Sequence, residues 1–86
     1  MPQKIRVLIV DDSALVRKLL RDVITGDPDM EVVGTASNGV EAIRAIAEFK
    51  PDVVTMDIHM PEMDGLTALK YIMRKHPLPV VMLSAL

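Results

Sequence analysis

Short apolar runs alternate with amphipathic helical stripes along this chain, and that alternation restricts the folds that it can adopt. The first run, Ile5–Val10, is rich in β-branched residues and almost continuously apolar, which is typical of a strand buried on both faces. It ends at Asp11 and Asp12, and after Ser13 the apolar residues recur at helical spacing. The chain therefore begins with a predicted strand followed by a predicted helix, which Ser13 or Asp12 can cap.

The same alternation continues to the end of the chain and predicts the order β-α-β-α-β-α-β. The further predicted strands are residues 31–36, 53–56 and 80–83, and the further predicted helices begin at the capping pair Asn38 and Glu41 and at Gly65. The apolar stripe of the first helix is Val16, Leu19, Leu20, Val23 and Ile24, and that of the third is Leu66, Leu69, Ile72 and Met73. Strands alternating with helices imply an α/β fold with a parallel sheet, right-handed crossovers and helices on both faces.

Length and composition exclude several classes of protein. The chain has 86 residues, enough for one domain, and a net charge of −2, which provides no basic field for nucleic acid or an anionic membrane surface. It has no cysteine, which removes disulfides and thiolate metal sites and fits a cytoplasmic location. No apolar segment is long enough for a signal peptide or a membrane span.

Three acids follow two of the predicted strands. Asp11 and Asp12 come after the first strand, and Asp57 comes after the third. In a flavodoxin-like sheet these two strands are neighbours, so the acids would share one crevice at the carboxyl edge. Clustered carboxylates repel one another unless a cation joins them, and a hard ion such as Mg²⁺, or Mn²⁺ in its place, prefers oxygen ligands. Taken singly, the same acids could be helix caps or strand terminators.

Three segments resemble the receiver domains of two-component response regulators: residues 7–13, residues 51–65 with the block Asp-x-x-Met-Pro-x-Met-Asp-Gly, and residues 79–84. The resemblance implies a flavodoxin-like (CheY-like) sheet of strand order 2-1-3-4. Finer features, in residues 31–36, 53–57, 71–73 and 80–86, are similar to the receivers of the chemotaxis protein-glutamate methylesterase (CheB) family.

The resemblance also implies a role for each site residue. Asp57 matches the aspartate that accepts a phosphoryl group from a histidine kinase of the CheA type. Asp12 matches the direct ligand of Mg²⁺, Asp11 the acid that acts through a bound water, and His59 the residue whose backbone carbonyl completes the protein ligands. Ser84 matches the switch hydroxyl that moves to hydrogen-bond the phosphoryl group.

Receiver domains of this family continue beyond the part that this chain matches. Compared with them, residues 1–86 are expected to be a receiver domain that is incomplete at its C-terminus, without the fifth strand, the last two helices and the lysine that contacts the phosphoryl group. The effector domain of CheB proteins would also be absent, so the chain itself is not expected to be a methylesterase. Strand 80–83 would then form a bare sheet edge, which predicts self-dimerisation.

Two other interpretations remain open at this point. The chain could be a truncated or engineered receiver fragment that folds by self-association and cannot switch. It could instead be a phosphatase with an aspartate nucleophile. Such enzymes place two acids one residue apart after their first strand, whereas Asp11 and Asp12 are adjacent.

Overall fold

The computed structural model describes residues 3–83, which form a four-stranded parallel sheet with helices on both faces. In chain order the elements are β1 (Ile5–Val10), α1 (Ala14–Thr25), β2 (Met30–Ala36), α2 (Gly39–Phe49), β3 (Val53–Asp57), α3 (Gly65–Lys75) and β4 (Val80–Leu83). The strand order is β2-β1-β3-β4. The predicted α/β class and the predicted strand order are confirmed.

Strand β1 lies in the middle of the sheet and aligns the carboxyl ends of its neighbours. Val10 pairs with Ala36 of β2 on one side and with Met56 of β3 on the other. The next residue, Asp11, continues the pairing, because its N–H donates to the Ala36 carbonyl at 3.0 Å. The residues that follow β1 and β3 are therefore brought to the same edge of the sheet.

Alternate side chains of β1 enter two separate cores, which is why its sequence is apolar throughout. Leu8 and Val10 belong to the larger core beneath α2 and α3, and Val7 and Ile9 belong to the smaller core beneath α1. The other buried members of the larger core are Ala36, Ala42, Ala45, Ile46, Val54, Met56, Ala68 and Ile72. Both faces of the central strand are thus fixed by packing.

Side-chain caps define where the helices begin, close to the carboxyl edge of the sheet. The Ser13 hydroxyl accepts from the N–H of Val16, and the Asn38 side chain accepts from the N–H of Glu41. The predicted cap at Asn38 is confirmed, and of the two candidates for α1, Ser13 and Asp12, the structure shows Ser13. Each cap satisfies an N–H that has no partner within its own helix.

The predicted apolar stripes of α1 and α3 are only partly buried. On α1, Ile24 is buried, whereas Leu19 and Val23 are exposed. On α3, the core is filled by Ile72 and by Ala68, which the prediction omitted, while Leu66 and Met73 are exposed. The prediction was wrong for these positions, because in the described part of the chain each helix touches the sheet along a narrower strip than its apolar residues occupy.

Candidate functional site

Asp11, Asp12 and Asp57 lie together at the carboxyl edge, as the sequence predicted. One carboxylate oxygen from each lies within 4.8 Å of the others. Asp11 is buried, Asp57 is half-buried and Asp12 is exposed. The cluster is thus anchored in the protein on one side and open to solvent on the other.

The cluster borders a hollow of about 300 Å³. The three acids and Ser13 provide its polar wall. Its remaining wall is apolar and consists of Val16 and Leu20 of α1 and Leu83 of β4. Such a hollow has room for a small anionic group beside a cation.

Asp11 is the most constrained member of the cluster. Its carboxylate accepts from the N–H of Ser13 at 2.9 Å, and its N–H donates to the Ala36 carbonyl. Its own carbonyl accepts from the guanidinium of Arg17 at 2.6 Å. Backbone and side chain are therefore both held, which fixes the direction of the carboxylate.

Burial raises the pKa of the Asp11 carboxyl above its ordinary value of 3.8. The N–H of Ser13 opposes that change, and the charges of Asp57 and Asp12 raise the pKa further. Keeping the Asp11 carboxylate ionised in the folded protein therefore has an electrostatic cost. A bound cation would remove that cost.

Close backbone packing holds Asp57 at the end of β3. The N–H of His59 approaches the Asp57 carboxylate at 3.3 Å, and the N–H of Gly65 donates to the Ile58 carbonyl at 2.8 Å. A Cβ atom on Gly65 would overlap the carbonyl oxygen of Asp57. Only glycine can begin α3 at this distance from the strand.

The loop between β3 and α3 contains a tight turn at Glu62, next to Pro61. Glu62 has φ of 68°, in the left-handed region, and the N–H of Met63 donates to the Pro61 carbonyl at 2.8 Å. The Met63 carbonyl accepts in turn from the N–H of Gly39 at 3.3 Å. The loop is thereby attached to the start of α2. Pro61 indicates a turn here from the sequence alone, but it does not show that Glu62 adopts the left-handed conformation.

The roles of the two other predicted site residues, His59 and Ser84, stay predictions. His59 is exposed and lies two residues after Asp57, and the part that its carbonyl plays stays a prediction. Ser84 lies outside the described residues, so its predicted switch role also stays a prediction.

The donor set of the cluster fits a hard divalent cation. All three side chains offer carboxylate oxygens, which suit Mg²⁺ and Mn²⁺ better than softer ions. One acid is buried with a raised pKa, so the chain itself supplies a reason to bind positive charge at this point. Elsewhere, no helix within residues 3–83 has the length and hydropathy needed to cross a membrane.

Comparison with known proteins assigns the class. Residues 7–86 match the sequence model of the response regulator receiver domain. The chain belongs to the response regulator receiver domain family, whose members act in two-component signalling.

Within that family the chain resembles the receivers of CheB methylesterases. It is 57% identical over 84 residues to the protein-glutamate methylesterase/protein-glutamine glutaminase of Pyrococcus abyssi. The aligned residues cover 98% of this chain and 23% of that protein. The protein with the same description in Archaeoglobus fulgidus is 63% identical over 81 residues, covering 94% of this chain and 23% of that protein. The chain thus spans about a quarter of the length of these relatives.

Solved structures agree with both levels of assignment. The response regulator domain of Thermotoga maritima CheB superposes with a TM-score of 0.95 at 55% identity, over 98% of this chain and 63% of that one. A CheX–CheY–BeF₃–Mg²⁺ complex from Borrelia burgdorferi contains a chain that superposes with a TM-score of 0.88 at 39% identity, over 100% of this chain and 64% of that one. The fold and the family are the same in each comparison.

Proposed function

We propose that this chain is a phosphoacceptor and that Asp57 receives the phosphoryl group from a histidine kinase of the CheA type. The observation that carries the proposal is the set of three carboxylates within 4.8 Å of one another beside a hollow of about 300 Å³. A structural role for these acids would not require them to converge, because caps and strand terminators act separately. Receiver-family membership is independent support.

In the proposed reaction Asp57 acts as a carboxylate nucleophile. One of its oxygens forms a bond to phosphorus while the bond between phosphorus and the donor's histidine nitrogen breaks. The electron pair of that bond stays on the imidazole nitrogen, which takes up a proton from water. The product is an acyl phosphate on Asp57 and a neutral histidine on the kinase.

Asp11, Asp12 and Asp57 would hold Mg²⁺, or Mn²⁺, together with the backbone carbonyl of His59. When bound, the cation would neutralise the charge that develops on the transferring oxygens. Asp12 is exposed and able to meet an incoming hydrated ion, while the buried Asp11 is held in a fixed direction. The CheX–CheY relative that contains both BeF₃ and Mg²⁺ supports this pairing of ligands. We assign the switch hydroxyl to Ser84.

We further propose that the chain is the receiver part, residues 1–86, of a longer cytoplasmic protein of the CheB type. The relatives named as methylesterases are about four times as long as the matched segment. Their esterase chemistry would then belong to the part of their sequence outside this match. Phosphorylation at Asp57 would regulate such an effector domain, and that effector would act on chemoreceptors.

Mass spectrometry tests the phosphoacceptor role directly. The protein is incubated with Mg²⁺ and acetyl phosphate, and we expect an adduct of one phosphoryl group that EDTA prevents. Asp57→Asn should abolish the adduct and leave the far-UV circular dichroism unchanged. Asp29→Asn is the matched control, since it removes the same charge at an exposed position beyond the opposite edge of the sheet. An adduct that persists in Asp57→Asn would refute the assignment.

One observation favours a second candidate, a receiver fragment that self-associates through β4 and does not switch. In the described sheet β4 has a neighbour on one side only, and Val81 on this edge is 50% exposed. Such an edge can pair with a second copy. Analytical ultracentrifugation at micromolar concentration should then show a dimer, and Val81→Lys should weaken it. A monomer that gains the acetyl phosphate adduct would leave only the first candidate.

A further inference from the structure

Arg17 is the one basic side chain of α1 that reaches back to the acidic cluster, and neither metal binding nor phosphoryl transfer by itself explains its contact. Its guanidinium donates to the backbone carbonyl of Asp11 at 2.6 Å, which is short and charge-assisted. The other basic residues of this helix, Lys18 and Arg21, are exposed, and Lys18 pairs with Asp22. Among the basic residues of α1, Arg17 is therefore the one that the described structure shows bonded to the end of β1.

The carbonyl that Arg17 contacts needs a partner. Asp11 is 6% exposed and follows the last residue of β1, where the regular pairing of the strand stops. A buried carbonyl without a donor costs free energy, so residues 11–13 would shift towards water if the guanidinium were removed. The direction of the Asp11 carboxylate depends on that same short segment, through the N–H of Ser13.

The charge of Arg17 also acts on a second acidic group, Glu41 at the start of α2. The pKa of Glu41 is lowered mainly by the N–H and hydroxyl of Ser37, and the nearby charge of Arg17 lowers it further. Glu41 belongs to the cap of α2 and accepts from Ser37 at 3.0 Å. The Arg17 guanidinium thus contacts the end of β1 directly and interacts with the start of α2 only through the charge of Glu41.

We infer that Arg17 is a positioning residue of the metal site: its hydrogen bond to the Asp11 carbonyl fixes the segment 11–13 and thereby the direction of the acids that bind the cation. The inference rests on the proposed function for its metal-binding part. Partners that orient metal ligands in this way commonly change metal affinity by about 10- to 100-fold when they are removed.

The first experiment measures Mg²⁺ binding by calorimetry in the whole protein that carries this sequence. Arg17→Met keeps the apolar stem and removes the donor, and we expect the Mg²⁺ dissociation constant to rise about tenfold. Arg17→Lys keeps the charge with a different donor geometry, and we expect a rise of about threefold. Arg21→Met, which makes the same change on an exposed part of α1, should leave the constant unchanged. Equal constants for Arg17→Met and Arg21→Met would overturn the inference.

The second experiment needs no metal and separates positioning from general stability. In EDTA, amide hydrogen exchange at Ser13 and Asp11 should accelerate about tenfold in Arg17→Met. Exchange at Ile5, whose N–H donates to Asp29 at the opposite edge, should stay unchanged. Equal acceleration at both edges would show a merely structural role and overturn the inference. If Arg17→Met does not fold, Arg17→Lys decides by the same comparison.

The two proposals fail in different ways. If the unsubstituted protein binds no Mg²⁺ and gains no phosphoryl group, the proposed function is wrong, and the metal-binding part of the inference falls with it. If the unsubstituted protein binds Mg²⁺ and Arg17→Met binds it equally well, the proposed function stands and only the inference about Arg17 is wrong.

Discussion

The two edges of the sheet differ in whether their charged side chains have partners within the protein. At the amino edge, the backbone N–H of Arg6 donates to the Asp52 carboxylate at 2.8 Å. The backbone N–H of Asp52 donates in return to the Arg6 carbonyl, also at 2.8 Å. The Arg6 guanidinium also donates to the carbonyls of Phe49 and Lys50, at 2.6 and 2.7 Å, where α2 ends. At the carboxyl edge three acids converge, and among residues 3–83 no lysine or arginine side chain forms an ion pair with them.

This contrast separates the part of the molecule that stabilises the fold from the part that binds. The amino edge satisfies its donors and acceptors internally, so it contributes to stability without any ligand. The carboxyl edge leaves negative charge uncompensated, so it is stabilised only when a cation arrives. Unfavourable repulsion between side chains of this kind is commonly found at the functional site of a protein.

Gly65→Ala is expected to have the largest effect, because it forces the carboxyl edge apart. The new Cβ atom would overlap the Asp57 carbonyl oxygen, which belongs to the backbone and cannot move aside cheaply. We expect a loss of roughly 3 kcal/mol in the free energy of unfolding, measured by urea denaturation. Gly26→Ala is the control, since Gly26 has φ of −70° and its Cβ would lie 3.3 Å from the Val23 carbonyl oxygen, a tight contact but not an overlap. Equal losses for the two variants would contradict the packing argument.

Arg6→Ala tests the amino edge in the same assay. It leaves the last carbonyls of α2 without their charged donor, and we expect a loss of about 2 kcal/mol in the free energy of unfolding. Mg²⁺ affinity should stay unchanged, because Arg6 lies at the edge opposite the acids. Lys4→Ala, at an exposed position two residues earlier, should have little effect. A change in Mg²⁺ affinity would show that the two edges are not independent.

The features that could be predicted from the sequence depend on local chemistry or on general rules of sheets. Residue type and spacing identify Asn38 as the cap of α2 and restrict the cap of α1 to Ser13 or Asp12. The convergence of Asp11 and Asp57 follows because parallel strands end at the same edge. Neither feature requires knowledge of how the helices pack.

The features that could not be predicted depend on distant backbone atoms or on how a helix lies against the sheet. Arg6 and Arg17 both donate to carbonyls, and no sequence pattern shows which carbonyl will lack a partner. Ala68 is fully buried although the larger Leu66 and Met73 are exposed. Side-chain size and apolarity outline the apolar arc of a helix, but they do not show which part of that arc approaches the sheet most closely.

Asp11→Asn is expected to have the smallest effect, and its sign should depend on pH and on Mg²⁺. The raised pKa of Asp11 means that the folded state binds its proton more tightly than the unfolded state does. In EDTA, wild-type stability should therefore fall as pH rises from the ordinary value of 3.8 through the raised pKa. Asparagine keeps an acceptor for the Ser13 N–H and does not titrate, so the variant should be more stable than wild type at pH 7 and equal to it at pH 3.

Saturating Mg²⁺ should reverse that order. A cation that binds more tightly stabilises the folded state more, and Asp11→Asn should bind it more weakly, so the wild type becomes the more stable of the two. Asp29→Asn should differ little from wild type with or without Mg²⁺, because Asp29 is exposed and distant from the cluster. A variant that is less stable than wild type in EDTA at pH 7 would mean that the carboxyl edge is not under electrostatic strain, and the contrast between the two edges would then be wrong.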